Sequence, residues 1–405
     1  MKILVVLPRF PYPLEKGDKL RAYHQIVELS RRHDIYLFAV SHTKVTPDQI
    51  QALRPYCRDI RTATPSRWVS VKNILRNYFS TKSLQLGYWD SEKARRICRD
   101  FARSVQPDVI YNQMVRTIPL VARLPFPKVM DFQDALSMNT ERRMEQSRGL
   151  AHYLLHFEFK MLRSTEYNSF KIFDALTIIS AADRDAIPHR QGGDIRIVRN
   201  GVDFDYFSPQ ALCHPGTLPP AKDIDIVFCG NMQYKPNVDA ATFLVNEIMP
   251  LVWQRHPEAT VVLAGATPKK AVRRLAGPRV TVTGSVPDIR PYYSRARIFV
   301  APMRIGSGLQ NKLLEAMSMG TPCITTSLAN LALGALHGQH LLIGDTASQL
   351  ADAILSLLDD QALRQRLADQ ANLFVHENFS WGDNAVILEE TLRQAIEAYR
   401  PDERK

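Results

Sequence analysis

The sequence predicts an α/β protein of two doubly wound, Rossmann-like domains, and three observations point to it. Short runs of β-branched and aliphatic residues alternate with longer stretches of helical spacing from the first residue onward. The alternation occurs in two successive sets, and a proline-rich stretch without apolar periodicity separates them. The 405-residue length exceeds one ordinary core, because domains usually hold about 100–200 residues.

In chain order, Lys2–Leu7, Ile35–Val40, Val109–Tyr111, Val129–Phe132, Ala175–Ile179 and Ile195–Val198 read as buried parallel strands, since their apolar residues run on without alternation. The second set is Ile224–Cys229, Thr260–Ala264, Val280–Thr283, Ile298–Ala301, Cys323–Thr325 and Leu341–Ile343. The first domain is expected over residues 1–206 and the second over 224–383. The linker, 207–223, carries Pro209, Pro215, Gly216, Pro219 and Pro220. Residues 384–405 contain a further helix, longer than the second sheet needs, that can cross back to the first domain. Two such sheets joined by a linker are expected to face each other across a cleft, and open α/β sheets bind ligands beyond the carboxyl ends of their strands. The active site is expected there.

Composition narrows the function classes. An apolar fraction of 45% with 23% charged residues is that of a globular chain and excludes collagen-like or disordered readings. Only five consecutive apolar residues precede Pro8, too few for a signal peptide, and no span approaches the ~20 needed to cross a bilayer. A cytoplasmic location is expected. Cys57, Cys98, Cys213, Cys229 and Cys323 are scattered, so they read as reduced packing residues rather than disulfides or a zinc site. The net charge of +11 suits a phosphate-bearing substrate or an anionic membrane; no nucleic-acid-binding pattern accompanies it.

The stretch Ala301–Pro322 carries the most specific chemistry: a strand, a loop with Gly306, Ser307, Gly308 and Leu309, a helix containing Lys312 and Glu315, and a stop at Gly320 and Pro322. Exposed N–H groups of such a loop, with the helix dipole behind them, make a diphosphate site. Lys312 is expected to neutralise phosphate charge, and Glu315 to accept hydrogen bonds from two ribose hydroxyls. In the first half, Gly17, Lys19 and Arg21 follow the first strand and suit a phosphate or acidic acceptor. Asp131, Asp134 and Ser137 follow another strand and are expected to place two carboxylates and a hydroxyl in the cleft, with helix capping by Asp134 or Ser137 as the alternative.

The string Leu314-Glu315-Ala316-Met317, followed by Gly320-Thr321-Pro322, resembles the nucleotide-binding signature of glycosyltransferase family 4, retaining enzymes of the GT-B fold. Arg199-Asn200-Gly201-Val202-Asp203 is similar to that family's interdomain hinge, and Phe228–Asn237 to the strand and glycine turn opening its second domain. Pro11-Tyr-Pro13 with Gly17-Asp-Lys19-Leu-Arg21 resembles the opening of bacterial exopolysaccharide-associated sugar transferases. The sequence departs from the family at two places. Ser307 stands where many members have the first of two glutamates, and Tyr111–Arg116 holds no histidine.

The resemblance implies sugar transfer with retention from a nucleotide-diphosphate sugar to a hydroxyl of a saccharide or lipid-linked acceptor, in surface polysaccharide or glycolipid synthesis. It implies donor contacts from Gly230, Lys235, Arg304, Gly306, Ser307, Gly308, Leu309 and Glu315, and a catalytic set of Gly17, Asp131, Asp134 and Lys312. Lys19, Arg21 and Arg116 fall on the acceptor side. Neither a cofactor nor a metal is expected: Asp203-Phe-Asp205 has an Asp-x-Asp form but lies at the hinge, and a helix end with lysine does the metal's work. A nucleotide-sugar epimerase or a non-catalytic nucleotide-sugar-binding scaffold are the alternative readings. Finally, Arg67–Phe79 interleaves basic and large apolar residues. It reads as a helix packing its apolar stripe on the sheet, with contact at the inner face of an anionic membrane as the alternative.

Overall fold

Strands whose side chains are apolar on both faces must be covered twice, and the chain builds its sheets accordingly. The computed structural model describes residues 1–14, 16–80, 82–145, 147–188, 195–212, 221–306 and 308–400. Residues 1–199 and 381–405 form one unit and residues 200–380 another.

In the first unit, seven strands make a parallel sheet in the order β3-β2-β1-β4-β5-β6-β7. They are β1 (Lys2–Leu7), β2 (Asp34–Val40), β3 (Asp59–Ala63), β4 (Val109–Gln113), β5 (Lys128–Asp131), β6 (Ala175–Ile178) and β7 (Ile195–Ile197). The pleat of β1 sends Leu4 and Val6 into one core layer and Ile3, Val5 and Leu7 into the other. β3 is absent from the sequence expectation. It is an edge strand whose residues are mixed in burial and carry an exposed Arg61, so no apolar run announces it.

The second unit holds β8 (Ile224–Cys229), β9 (Val261–Ala264), β10 (Val280–Gly284), β11 (Ala296–Ala301), β12 (Cys323–Thr325) and β13 (Leu342–Ile343), ordered β10-β9-β8-β11-β12-β13. The strand order is that of a doubly wound sheet, reversing between its first and fourth strands. β1 and β4 flank the reversal in the first unit, β8 and β11 in the second.

The units divide between Arg199 and Asn200, upstream of the 207–223 segment read as the linker. Phe207 packs on the core of the second unit and its carbonyl accepts from Ser318 Oγ at 2.6 Å. Prolines interrupt periodicity without marking where contacts stop; residues 213–220, which hold Cys213 and three of those prolines, lie outside the described residues. The return lies at Ser380/Trp381 rather than at 384. The helix Trp381–Ala398 buries Leu388, Leu392 and Ala395 in the layer that contains Ile3 and Val5, and Trp381 stacks on His24 at 4.7 Å. Cys57, Cys98, Cys229 and Cys323 are free and buried.

One close approach shapes the second unit. A Cβ at Gly265 would lie 1.9 Å from the carbonyl oxygen of Gly230, and Gly265 has φ of +142°. The loops after β8 and β9 therefore meet backbone to backbone. Gly265→Ala is expected to destabilise the protein by at least about 2 kcal/mol through overpacking and backbone strain. Urea unfolding would register this as a lower midpoint at unchanged slope.

Candidate active site

The loops after β8 and β11 diverge where the strand order reverses in the second unit, and the donor residues read from the sequence collect there. Gly230 follows β8, and a Cβ on it would meet Asn237 Nδ2 at 2.8 Å and Lys312 Nζ at 3.2 Å. Glycine here makes room for a lysine. Lys312 Nζ donates to Asn237 Oδ1 at 2.5 Å and lies 4.8 Å from the centre of the Phe228 ring. Burial pushes its pKa down to about 8, against the pull of Cys229 and Glu315.

Lys312 and Glu315 occupy the helix Asn311–Ser318, one turn apart. Tyr293 OH donates to Glu315 Oε2 at 2.7 Å, while no donor among the described residues bonds Oε1. Burial raises the Glu315 carboxyl above its ordinary pKa, opposed by the Tyr293 hydrogen bond and by Lys312. Gly306, with φ of +91°, turns the chain toward this helix, whose N-cap Gln310 makes no side-chain cap bond. Leu313 N–H donates to Gln310 O at 2.8 Å, and the start of the helix faces the loop without a side-chain cap, an arrangement suited to anions. Gly308 O accepts from Gln310 Nε2 at 2.9 Å, and Leu309 packs on the core. Ser307 lies outside the described residues.

Two other donor-side residues are placed differently. Arg304 pairs with Asp239 at 2.9 Å and Glu247 at 3.4 Å, its guanidinium 4.1 Å from the Phe243 ring, so its charge is already met within the protein. Lys235 is exposed at the start of the helix Lys235–Phe243. Asp203 Oδ1 accepts from Tyr206 N at 3.0 Å and so closes a turn. Among the described residues no three metal-ligating side chains cluster.

In the first unit the reversal lies between β1 and β4. Gly17 is exposed at the start of the helix Gly17–Ser30, and Lys19 lines a small pocket with Arg9, Asp18, Gln113 and Gln133. Arg21 and Asp131, read as acceptor-side and catalytic, are instead a buried ion pair. Arg21 Nε and Nη2 reach Asp131 Oδ2 and Oδ1 at 2.7 and 3.2 Å, with the two residues 1% and 0% exposed. Tyr111 OH at 2.7 Å and Gln133 N at 3.0 Å also donate to Asp131. Four donors and no exposure leave this carboxylate no face toward a substrate. It locks the strand ends, because a buried charge is held only when fully paired.

Asp134 is half-buried and its carboxyl is pushed up to about 7 by burial and by the neighbouring Asp183. Asp183 is itself held by Ser180 Oγ at 2.5 Å and Ala135 N at 3.1 Å. The cap role considered for Ser137 is not made by its hydroxyl; its N–H donates to Glu166 Oε1 at 3.0 Å. Sequence reading missed Gln25, Gln113 and Gln133, which chain together at 2.6 and 3.1 Å beside Asp131. The signal was available only in register: Gln113 pairs with Asp131 across β4 and β5.

Arg116 sits on the turn after β4, its Nε and Nη2 donating to Gln85 Oε1 at 3.0 and 2.8 Å. The helix Arg67–Phe79 reverses the expectation of an apolar stripe packed on the sheet. Its inner face is polar, with Ser70, Asn73 and Asn77 bonded to the carbonyls of Tyr88, Asp90 and Ser83. Trp68, Val71, Leu75 and Phe79 point outward, Trp68 being 84% and Phe79 82% exposed. Buried polar contacts to the Leu84–Trp89 helix outrank the apolar ones because carbonyls removed from water require donors. No helix among the described residues is long and apolar enough to cross a membrane.

Two Rossmann-like units, each with loops gathered at its reversal point, define a fold of the GT-B class. Residues 223–360 match the family described as "Glycosyl transferases group 1". A Klebsiella pneumoniae protein described as "Uncharacterized 44.6 kDa protein in cps region" is 21% identical over 402 residues, covering 93% of this chain and 96% of the relative. The "Lipopolysaccharide core biosynthesis mannosyltransferase LpcC" of Rhizobium leguminosarum bv. viciae is 26% identical, covering 54% of this chain and 64% of its own length. Among solved structures, Anabaena Alr3699/HepE in complex with UDP superimposes with a TM-score of 0.68 at 15% identity, covering 97% of this chain and 100% of that one.

The Asp134 shift has a pH signature. Between roughly pH 4 and 7 the folded chain keeps a proton at Asp134 that the unfolded chain has released. Stability therefore falls as pH rises through that window, and the penalty is full above about 7. Asp134→Asn is expected to be more stable than the parent at pH 8, the difference vanishing near pH 4; thermal unfolding across pH measures it.

Proposed function

We propose that the protein transfers a sugar from a nucleotide-diphosphate sugar to an acceptor hydroxyl with retention, in surface polysaccharide or glycolipid synthesis. The observation that carries this reading is Lys312, a half-buried cation at a helix start that has no side-chain cap, one turn from Glu315, whose Oε1 has no donor among the described residues. Lys312 and the loop amides suit a diphosphate, and Glu315 Oε1 suits ribose hydroxyls. The UDP-bound neighbour and the lipopolysaccharide mannosyltransferase relative lend support.

In this reading the bond from the anomeric carbon to the diphosphate breaks, its electrons passing to the leaving oxygen. The acceptor oxygen bonds to the same carbon on the same face, and the acceptor proton passes to a phosphate oxygen. Negative charge grows on the departing diphosphate, where Lys312 and the backbone N–H groups around Gly306 and Gly308 stabilise it without reorganising. The exposed Gly17 amide and Asp134 complete the proposed reacting set, and neither a metal nor a cofactor is required.

The outward face of the 67–79 helix suits peripheral contact with an anionic bilayer, since exposed Lys72 and Arg76 flank its aromatic and aliphatic residues. Flotation with phosphatidylcholine vesicles containing phosphatidylserine is expected to carry the wild type. A Trp68→Asp, Phe79→Asp variant is expected to stay behind while unfolding at the parent's temperature; equal flotation refutes the contact.

A thermal-shift panel of nucleotides and nucleotide-sugars tests the donor, because ligand binding to the folded state raises its stability. One diphosphate-sugar is expected to shift the transition, and Glu315→Ala to lose the shift. Affinity should fall as pH rises through about 8, where Lys312 gives up its proton, and Lys312→Met should bind weakly with no such step. Donor isomerised without acceptor would mark an epimerase, and binding without turnover a scaffold. NMR of the product's anomeric proton decides retention.

A further inference from the structure

A pocket of about 340 Å³ opens in the first unit beside Arg116. Its chemistry is divided. Arg116 and Arg143 stand in its lining, and Leu84, Leu136, Leu154 and Leu155 supply the rest of the wall that matters here. Arg116 is half-buried on the turn after β4, two residues beyond Met114, whose φ of +65° marks a strained backbone. Its bonded partners are an amide oxygen, Gln85 Oε1, and the Met114 sulfur at 3.8 Å. No carboxylate among the described residues pairs with it, although burying a guanidinium without a counter-ion is costly.

Glu158, also in the lining, does not fill that place. Its oxygens are spent on Ser83 Oγ and Leu84 N at 2.7 Å each and on Gln85 N at 3.2 Å, capping the neighbouring helix. Arg143 is exposed and has neither a hydrogen bond nor an ion pair among the described residues. On the apolar side, Leu150, one turn before Leu154, is 76% exposed, and the adjacent Tyr153 is 66% exposed, along the helix Gly149–Ser169. Tyr78 of the 67–79 helix meets Phe157 of the same helix at 4.9 Å, so the apolar path continues to the outward face described above.

We propose that this pocket binds a lipid phosphate as the acceptor-bearing molecule, with the phosphate on Arg116 and Arg143 and the alkyl chain along Leu136, Leu154 and Leu155 toward the exposed leucine. The inference deepens the transferase reading and rests on it for the word acceptor; the binding site itself does not depend on donor chemistry. Guanidinium groups donate to phosphate in a geometry that a lysine cannot match, and the leucines offer the alkyl chain an apolar wall.

Decyl phosphate below its aggregation concentration is the probe, titrated calorimetrically into the full chain, with inorganic phosphate and decanol as its separated halves. The wild type is expected to bind decyl phosphate at least about tenfold more tightly than either half, and Arg116→Gln and Arg143→Gln are each expected to weaken it about tenfold. Arg143 is exposed, so its variant carries the test should Arg116→Gln fail to fold. Unchanged binding by the folded variants overturns the proposal. Equal binding of inorganic phosphate would show a free-phosphate site, and equal binding of decanol a merely apolar one; either overturns it too. UDP titrated in parallel reports on the donor reading alone: its loss without loss of decyl phosphate binding would sink the earlier proposal and leave this pocket standing.

Discussion

All strands of each sheet run parallel, so their carboxyl ends lie along one edge, and the strand order reverses only once. At the reversal two neighbouring loops leave in opposite directions and open a crevice that side chains can line. Everything with chemical character in either unit depends on that constraint. Gly230 and residues 302–306 flank it in the second unit, and Gly17, Gln113 and Met114 flank it in the first. The loops are irregular because they are released from pairing there, and the two backbone strains at Met114 and Gln133 occur at adjacent strand ends.

Charge burial separates what holds the protein together from what is poised to react. Arg21 and Asp131 satisfy each other, with Tyr111 and the Gln133 amide completing the shell. That pair is expensive to expose and has no spare valence. Lys312, Glu315, Asp134 and Arg116 are buried enough for their pKa values to be perturbed, yet each lacks the full set of opposite charges that Arg21 and Asp131 enjoy. Incompletely compensated groups at a strand-end crevice are the physical mark of a site. By the same standard Arg304, already paired with Asp239 and Glu247, is structural.

The second-unit site was largely legible in the sequence because it is local. Loop, helix start, Lys312 and Glu315 fall within a dozen residues, and helical spacing alone puts the lysine and glutamate on one face. The first-unit site was not. Its residues come from positions 21, 25, 111, 113, 131 and 133, on three elements brought together by strand register. Motif reading treated Arg21 and Asp131 as ligands since nothing in linear order shows that each is the other's partner.

The sequence by itself determined the parallel two-sheet architecture, the strands that build it except the edge strand β3, and the phosphate-type chemistry of the 301–322 stretch, because apolar runs and helical spacing are near-neighbour properties. Tertiary structure alone decided where the units divide, which charges are spent on one another, and that the 67–79 helix turns its aromatic face outward. Each of those depends on which groups compete for the same buried donors and acceptors, and that competition is settled only when distant segments meet.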